Sequence, residues 1–197
     1  MEKSWLRAER KIRMVKDLVK WIQIDVIDGI FVFEKTFELE LLKGILEENE
    51  KNLLDIHLMV KEPIKWINKC EFVGASRIIG QVEMMTDREE FVKRVKDMGI
   101  EVGLAFDINT KIKNIPEETD MVLLMGRKVG FEVMPFEEKV WERIKKIREQ
   151  KFEIGVDGGV NISNIERLKK EGVDLAYCGG AIFGEGKIED NLKNLQR

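Results

Sequence analysis

The sequence predicts an α/β fold built on a parallel sheet, and three observations point that way. Strand-like and helix-like segments alternate seven times after one opening helix. Most of the strands are short apolar runs, as a sheet buried on both faces requires. The polar residues of chemical interest sit on those strands or at their ends. With 197 residues the chain can build one sizeable core. No repeat, low-complexity tract or linker interrupts it, so residues 1–197 are expected to form a single domain.

Taken in order, Ala8–Val19 reads as an amphipathic helix, with Ile12, Val15, Leu18 and Val19 at helical spacing. Trp21–Gly29 is the first strand. Ile22, Ile24 and Val26 fall on one face, and Gln23, Asp25 and Ile27 on the other. A turn through Phe31–Phe37 leads to a helix around Glu38–Glu48, with Leu39, Leu41, Leu42 and Ile45 inward. Leu53–Val60 is a strand. Pro63 then stands at the start of a helix reaching Phe72, a position that tolerates proline. Ser76–Val82 is a strand, and Asp87 caps a helix over Glu89–Met98. Ile100–Phe106 is a strand, Lys111–Thr119 a short helix or turn, and Met121–Met125 a strand. Pro135–Gln150 reads as a long charged helix, followed by a strand at Phe152–Asp157 and a helix at Ser163–Glu171. Val173–Cys178 is the last strand, and a helix near Glu189–Gln196 ends the chain after a short one beyond Gly180. From the residues alone, a closed barrel and an open doubly wound sheet both fit. Seven strands is one short of a (β/α)8 barrel, and the missing one would precede residue 8.

Composition removes several classes of function. A formal charge of −3, with both signs mixed along the chain, gives no reason to expect nucleic acid or an anionic membrane as partner. No apolar run is long enough to span a bilayer. The charged N-terminus does not read as a signal peptide. The two cysteines, Cys70 and Cys178, have no metal or redox spacing, and the expected location is the cytoplasm.

Chemistry gathers at strand ends. Asp25 places a carboxylate in mid-strand, where burial costs roughly several kcal/mol or more unless the group is paired or metal-bound. In the second strand Asp55, His57 and Met59 share the face opposite Leu54, Ile56 and Leu58, and His57 is the one histidine of the chain. Asp157 ends the sixth strand and runs into Gly158-Gly159; the seventh strand ends in Cys178-Gly179-Gly180. In a parallel barrel these ends converge on one face, where active sites lie. Gln23, Asp25, His57 and Asp157 could then share a divalent-metal site. The two glycine pairs fall where such barrels bind phosphate through backbone N–H groups. Each feature alone also has an ordinary structural explanation: a core histidine, a turn glycine pair, gap-filling Met59 and Met125, a capping Asp28, a buried Cys178. Their coincidence on strands and strand ends favours function.

The stretches IDVIDGIFV, LDIHLMVKEP, GVDGGVN and CGGAIFG, in this order and spacing, resemble the ribulose-phosphate 3-epimerase family, over the chain from about Val19 onward. The resemblance implies a TIM (β/α)8-type barrel and interconversion of D-ribulose 5-phosphate and D-xylulose 5-phosphate. It implies Asp25 and Asp157 as the catalytic acid/base pair. Those two, with His57 and Gln23, would be the ligands of a divalent metal: Fe, Mn, Zn or Mg. Met59, Met125, Gly158, Gly159, Gly179 and Gly180 would meet the substrate and its phosphate. The expected partner is a small sugar phosphate, and the expected assembly a homodimer or larger.

This chain also departs from the family's pattern. Gln23 stands where the family usually has His, Gln81 where many relatives have His, and Ile27 where Met is common. A GFGGQ-type loop is here GFEVM, with Glu132 and Val133 in place of two glycines. Arg127 and Lys128 are the nearby cations that could offset Glu132. The family's first strand, with its Pro-Ser motif, has no counterpart, so a barrel with its first strand missing or atypical is expected. The readings that compete with an epimerase of reduced activity are a phosphosugar-binding or catalytically impaired relative and an epimerase of another ketose phosphate.

Overall fold

A computed structural model describes residues 2–45, 52–130 and 134–196. Its seven strands form one sheet in chain order, with helical segments between all but β4 and β5, and the class is α/β of the TIM-barrel type. The chain divides into two compact units. One is Met1–Leu104 with Ile115–Thr119, and the other Ala105–Asn114 with Asp120–Arg197. Among the described residues, no helix is long and apolar enough to cross a membrane.

In the first unit, α1 (Trp5–Val15) buries Ala8, Ile12 and Val15, an i, i+4, i+7 stripe. It is shorter than the segment read from sequence and starts earlier. Val15 closes the helix in a turn, accepting from the N–H groups of Leu18 and Val19, and Leu18 is exposed rather than inward. Strand β1 (Trp21–Ile27) pairs in parallel with β2 (Leu53–Met59), setting Asp25 opposite His57. Strand β2 pairs in parallel with β3 (Arg77–Gln81), setting Asp55 opposite Arg77. Leu54, Ile56 and Leu58 are buried on one face of β2 and Asp55, His57 and Met59 on the other, as expected of a covered parallel strand. Gly80 belongs to close packing, since a Cβ there would lie 2.9 Å from Phe91 Cζ. Phe91 is on α3 (Arg88–Asp97), capped as expected by Asp87, which accepts from the Glu90 N–H at 3.0 Å.

Two helices of this unit are less regular than their sequence pattern. Among the described residues, the segment read as a helix over Glu38–Glu48 holds a 3-10 turn, Leu39–Leu42. Gly44, at φ +81°, takes the left-handed conformation that stops a helix, and Leu41 is exposed. Leu46, Glu47 and Glu48 lie outside the described residues. The helix after Pro63 splits into a 3-10 segment, Pro63–Trp66, and α2 (Ile67–Phe72). Strand β4 spans Glu101–Phe106.

The second unit pairs β5 (Met121–Met125), β6 (Glu153–Asp157) and β7 (Leu175–Tyr177) in parallel, with Asp157 opposite both Met125 and Tyr177. The long helix expected over Pro135–Gln150 is only α4 (Val140–Ile147), burying Val140, Trp141, Ile144 and Ile147. Its expected first turn is a loop because the Glu137 N–H donates to the Gly126 carbonyl at the end of β5 (2.8 Å). Lys111–Thr119 contains no helix. Helices α5 (Ile165–Lys170), α6 (Gly179–Ile182) and α7 (Ile188–Gln196) complete the unit. No strand precedes Trp21 among the described residues.

Candidate active site

At the end of β1 the Asp25 carboxylate is 24% exposed, and its Oδ1 lies 3.3 Å from Nδ1 of the fully buried His57. The other ring nitrogen of His57, Nε2, is 2.9 Å from Oε1 of Gln81, the last residue of β3. Gln81 is itself fully buried, and its Nε2 donates to Oε2 of Glu83 at 2.7 Å. Glu83 sits in the 3-10 turn Val82–Met84 that follows β3. Four side chains thus stand in one row of polar contacts, from Asp25 through His57 and Gln81 to Glu83. Sequence reading singled out the first two; Gln81 drew notice only as a departure from the family, and Glu83 not at all. The signal for Gln81 was an amide closing an apolar strand. Glu83 lies past the strand end, where strand alternation no longer tells which way a side chain points.

Gln23 lies two residues before Asp25, on the same face of β1. Its Nε2 is buried and has no hydrogen-bond partner. Asp28 has a structural task, as expected: Oδ1 accepts from the Ile30 N–H (2.9 Å) and Oδ2 from the Lys61 N–H (2.7 Å). Met59 is buried at the end of β2.

In the second unit Asp157 ends β6, and its carbonyl accepts from the Gly126 N–H (2.5 Å). Gly158 (φ +98°) and Gly159 (φ +75°) turn the chain immediately after it. A Cβ on Gly159 would also stand 2.9 Å from the Phe136 nitrogen, so local geometry alone accounts for glycine there. Gly179 and Gly180 differ: both are exposed, neither has positive φ, and a Cβ on either would meet nothing within 4 Å. Burial, and secondarily the Asp157 carboxylate, push the Cys178 thiol up to about 12; burial alone does the same to Cys70. Both thiols therefore stay protonated at neutral pH, which fits the reading of Cys178 as a small buried residue. Met125 is buried at the end of β5. Arg127 donates to the Met134 carbonyl (3.1 Å). Phe131, Glu132 and Val133 of the GFEVM loop lie outside the described residues.

Asp25 and His57, in the first unit, and Asp157, in the second, each offer an atom of the kind that ligates a metal ion. Two carboxylates and an imidazole suit a first-row divalent cation.

These features define an α/β protein of the TIM-barrel type with an acid–imidazole group at its strand ends. The chain belongs to the ribulose-phosphate 3-epimerase family, whose model matches residues 2–183, and so to the carbohydrate epimerases, a class of isomerases. It is 28% identical over 201 residues to a ribulose-phosphate 3-epimerase of Aquifex aeolicus, covering 98% of this chain and 90% of that one. It is 30% identical over 193 residues to the enzyme of the same name from Buchnera aphidicola subsp. Baizongia pistaciae, covering 88% and 84%. Among solved structures, 3-hexulose-6-phosphate synthase from Salmonella typhimurium superposes with a TM-score of 0.72 at 15% identity, over 99% of this chain and 93% of that one. At that identity the likeness speaks for the fold alone.

Proposed function

We propose that this chain is a metal-dependent pentose-phosphate 3-epimerase, interconverting D-ribulose 5-phosphate and D-xylulose 5-phosphate. The observation that carries the reading is the Asp25–His57 pair, with Asp157 likewise at a strand end, in a chain of this family. Epimerisation at C3 removes a proton alpha to the C2 carbonyl and returns one on the opposite face. That calls for two acid/base groups with opposite roles, one entering as base and the other as acid. Asp25 and Asp157 take these roles and exchange them when the reaction runs backward. Asp25, His57, Asp157 and Gln23 would hold the cation, Gln23 through its amide oxygen. The buried Nε2 of Gln23, which has no partner, is a donor, so it speaks for an acceptor beside it rather than for the cation. When bound, the cation stabilises negative charge developing on the substrate oxygens. A neutral amide in place of imidazole favours Mn(II), Mg(II) or Fe(II) over Zn(II).

Met59 and Met125 would line the sugar. Gly158, Gly159, Gly179 and Gly180 would present backbone N–H groups to its phosphate. The open space at Gly179 and Gly180 leaves room for an anion to approach the backbone. Two free, buried cysteines accord with a reducing, cytoplasmic setting. Incubation with Mn(II) or Fe(II) in heavy water tests the reading. We expect exchange of the C3 proton of D-ribulose 5-phosphate and appearance of D-xylulose 5-phosphate. Phosphosugar binding without exchange, under every divalent cation tried, would overturn it in favour of a binding protein.

A further inference from the structure

The row beyond His57 fixes a direction. The Glu83 carboxylate can only accept, so the Gln81 nitrogen 2.7 Å away must be the donor. With its NH2 committed to Glu83, Gln81 turns its oxygen to His57, at 2.9 Å from Nε2. An amide oxygen can only accept, so the hydrogen of that bond must sit on His57 Nε2. In the neutral ring the lone pair then belongs to Nδ1, the nitrogen 3.3 Å from Asp25 Oδ1. Two acceptors set side by side repel, and a cation ligated by both removes the conflict. The burial of Gln81 gives the row its stiffness, because a desolvated amide rotated by 180° would set its oxygen against a carboxylate.

We propose that Gln81 and Glu83 are positioning residues that hold His57 in its Nε2–H form and so turn Nδ1 toward Asp25 as the ligand nitrogen. The proposal rests on the metal reading above for its consequence, but not for its geometry, which lies wholly within the first unit. Neither residue touches the cation or the sugar; each acts through the ring of His57. Outer groups that orient a metal-bound imidazole are typically worth about 10–100-fold in metal affinity.

His57 is the one histidine of the chain, so 15N-histidine labelling of the full-length protein reports a single imidazole. After chelator treatment, at about pH 8.5 where an ordinary imidazole is neutral, the ring is expected as the Nε2–H tautomer. Cd(II), followed by competition with a chromophoric chelator, is expected to shift Nδ1. Gln81→Met keeps bulk but removes the acceptor; it should lose the tautomer preference and weaken Cd(II) binding about 10–100-fold. Glu83→Gln is the milder variant, since a glutamine can donate as well as accept. It should loosen the preference and weaken Cd(II) less, while leaving the fold intact. An Nδ1–H ring in the wild-type protein would overturn the proposal, as would a tautomer unmoved in Gln81→Met and in Glu83→Gln. An Nε2–H ring that ignores Cd(II) would support the row and count against the metal reading.

Discussion

Strands β1 to β3 carry polar clusters at both ends, and the two are built differently. At the N-terminal ends, Arg77 is almost wholly buried between Asp55 (3.6 Å) and Glu101 (2.9 Å from Nε), and its guanidinium stacks 4.3 Å from the centre of the Trp21 ring. At the C-terminal ends stand Asp25, His57, Gln81 and Glu83. The first cluster brings its own cation, sealed beneath an aromatic ring. The second is joined through imidazole and amide groups, and leaves the Asp25 carboxylate partly open to solvent. A carboxylate whose counter-charge is built into the fold serves stability; one whose counter-charge must arrive from outside is available for chemistry.

The largest expected effect is at the second cluster. Asp25→Asn should lower kcat/KM for epimerisation by roughly 10²–10⁴-fold, the usual worth of an acid/base group. Its thermal midpoint should stay put or rise, because the substitution removes an unneutralised charge. Steady-state kinetics and calorimetry on one preparation check both halves. A variant that loses stability as it loses activity would erase the distinction between the two ends.

At the first cluster the expectation is reversed. Arg77→Met keeps a long side chain but leaves Asp55 buried without its cation, which should cost about 3–5 kcal/mol. Urea denaturation measures it, and activity at a temperature where the variant is folded should be nearly unchanged. Replacing Asp55 as well sharpens the point. In Arg77→Met/Asp55→Val both charges are gone, and the double variant should be more stable than the sum of the single changes by about 0.5–3 kcal/mol. Strict additivity would mean that Asp55 and Arg77 do not compensate one another.

Which end does which job was only half legible in the sequence. Strands could be read because a short apolar run has few other uses in a covered sheet, and all seven formed where the runs lay, β7 over only three half-buried residues. Asp25 and Asp157 could be read as carboxylates on strands, and His57 as the one imidazole on an apolar strand. The role of Asp55 could not, because its pairing with Arg77 is set by the β2–β3 register, which no local pattern fixes. Helix ends were misread for a similar reason. The first turn expected before Val140 is lost because Gly126 claims the Glu137 N–H, a contact eleven residues away in sequence. Glu83 was invisible because it lies just past the strand whose alternation would have aimed it.

The smallest effect separates the two glycine pairs along the same line between structure and chemistry. Gly159 is required by its left-handed backbone and by the Phe136 backbone beside it, so Gly159→Ala should destabilise the fold whatever it does to binding. Gly180 is under no such constraint. It is a glycine in the short helix α6, with ordinary φ and open space where a methyl group would go. Gly180→Ala should therefore stabilise the protein, by about 0.4–1 kcal/mol, through the lost freedom of the unfolded chain. If the backbone there meets the phosphate, the same methyl group should raise KM several-fold and leave kcat nearly unchanged. Calorimetry and initial rates on this one variant separate the two effects. A gain in stability with unchanged KM would remove Gly180 from the phosphate site, and a loss of stability would show that the fold, not the ligand, demands glycine at this position.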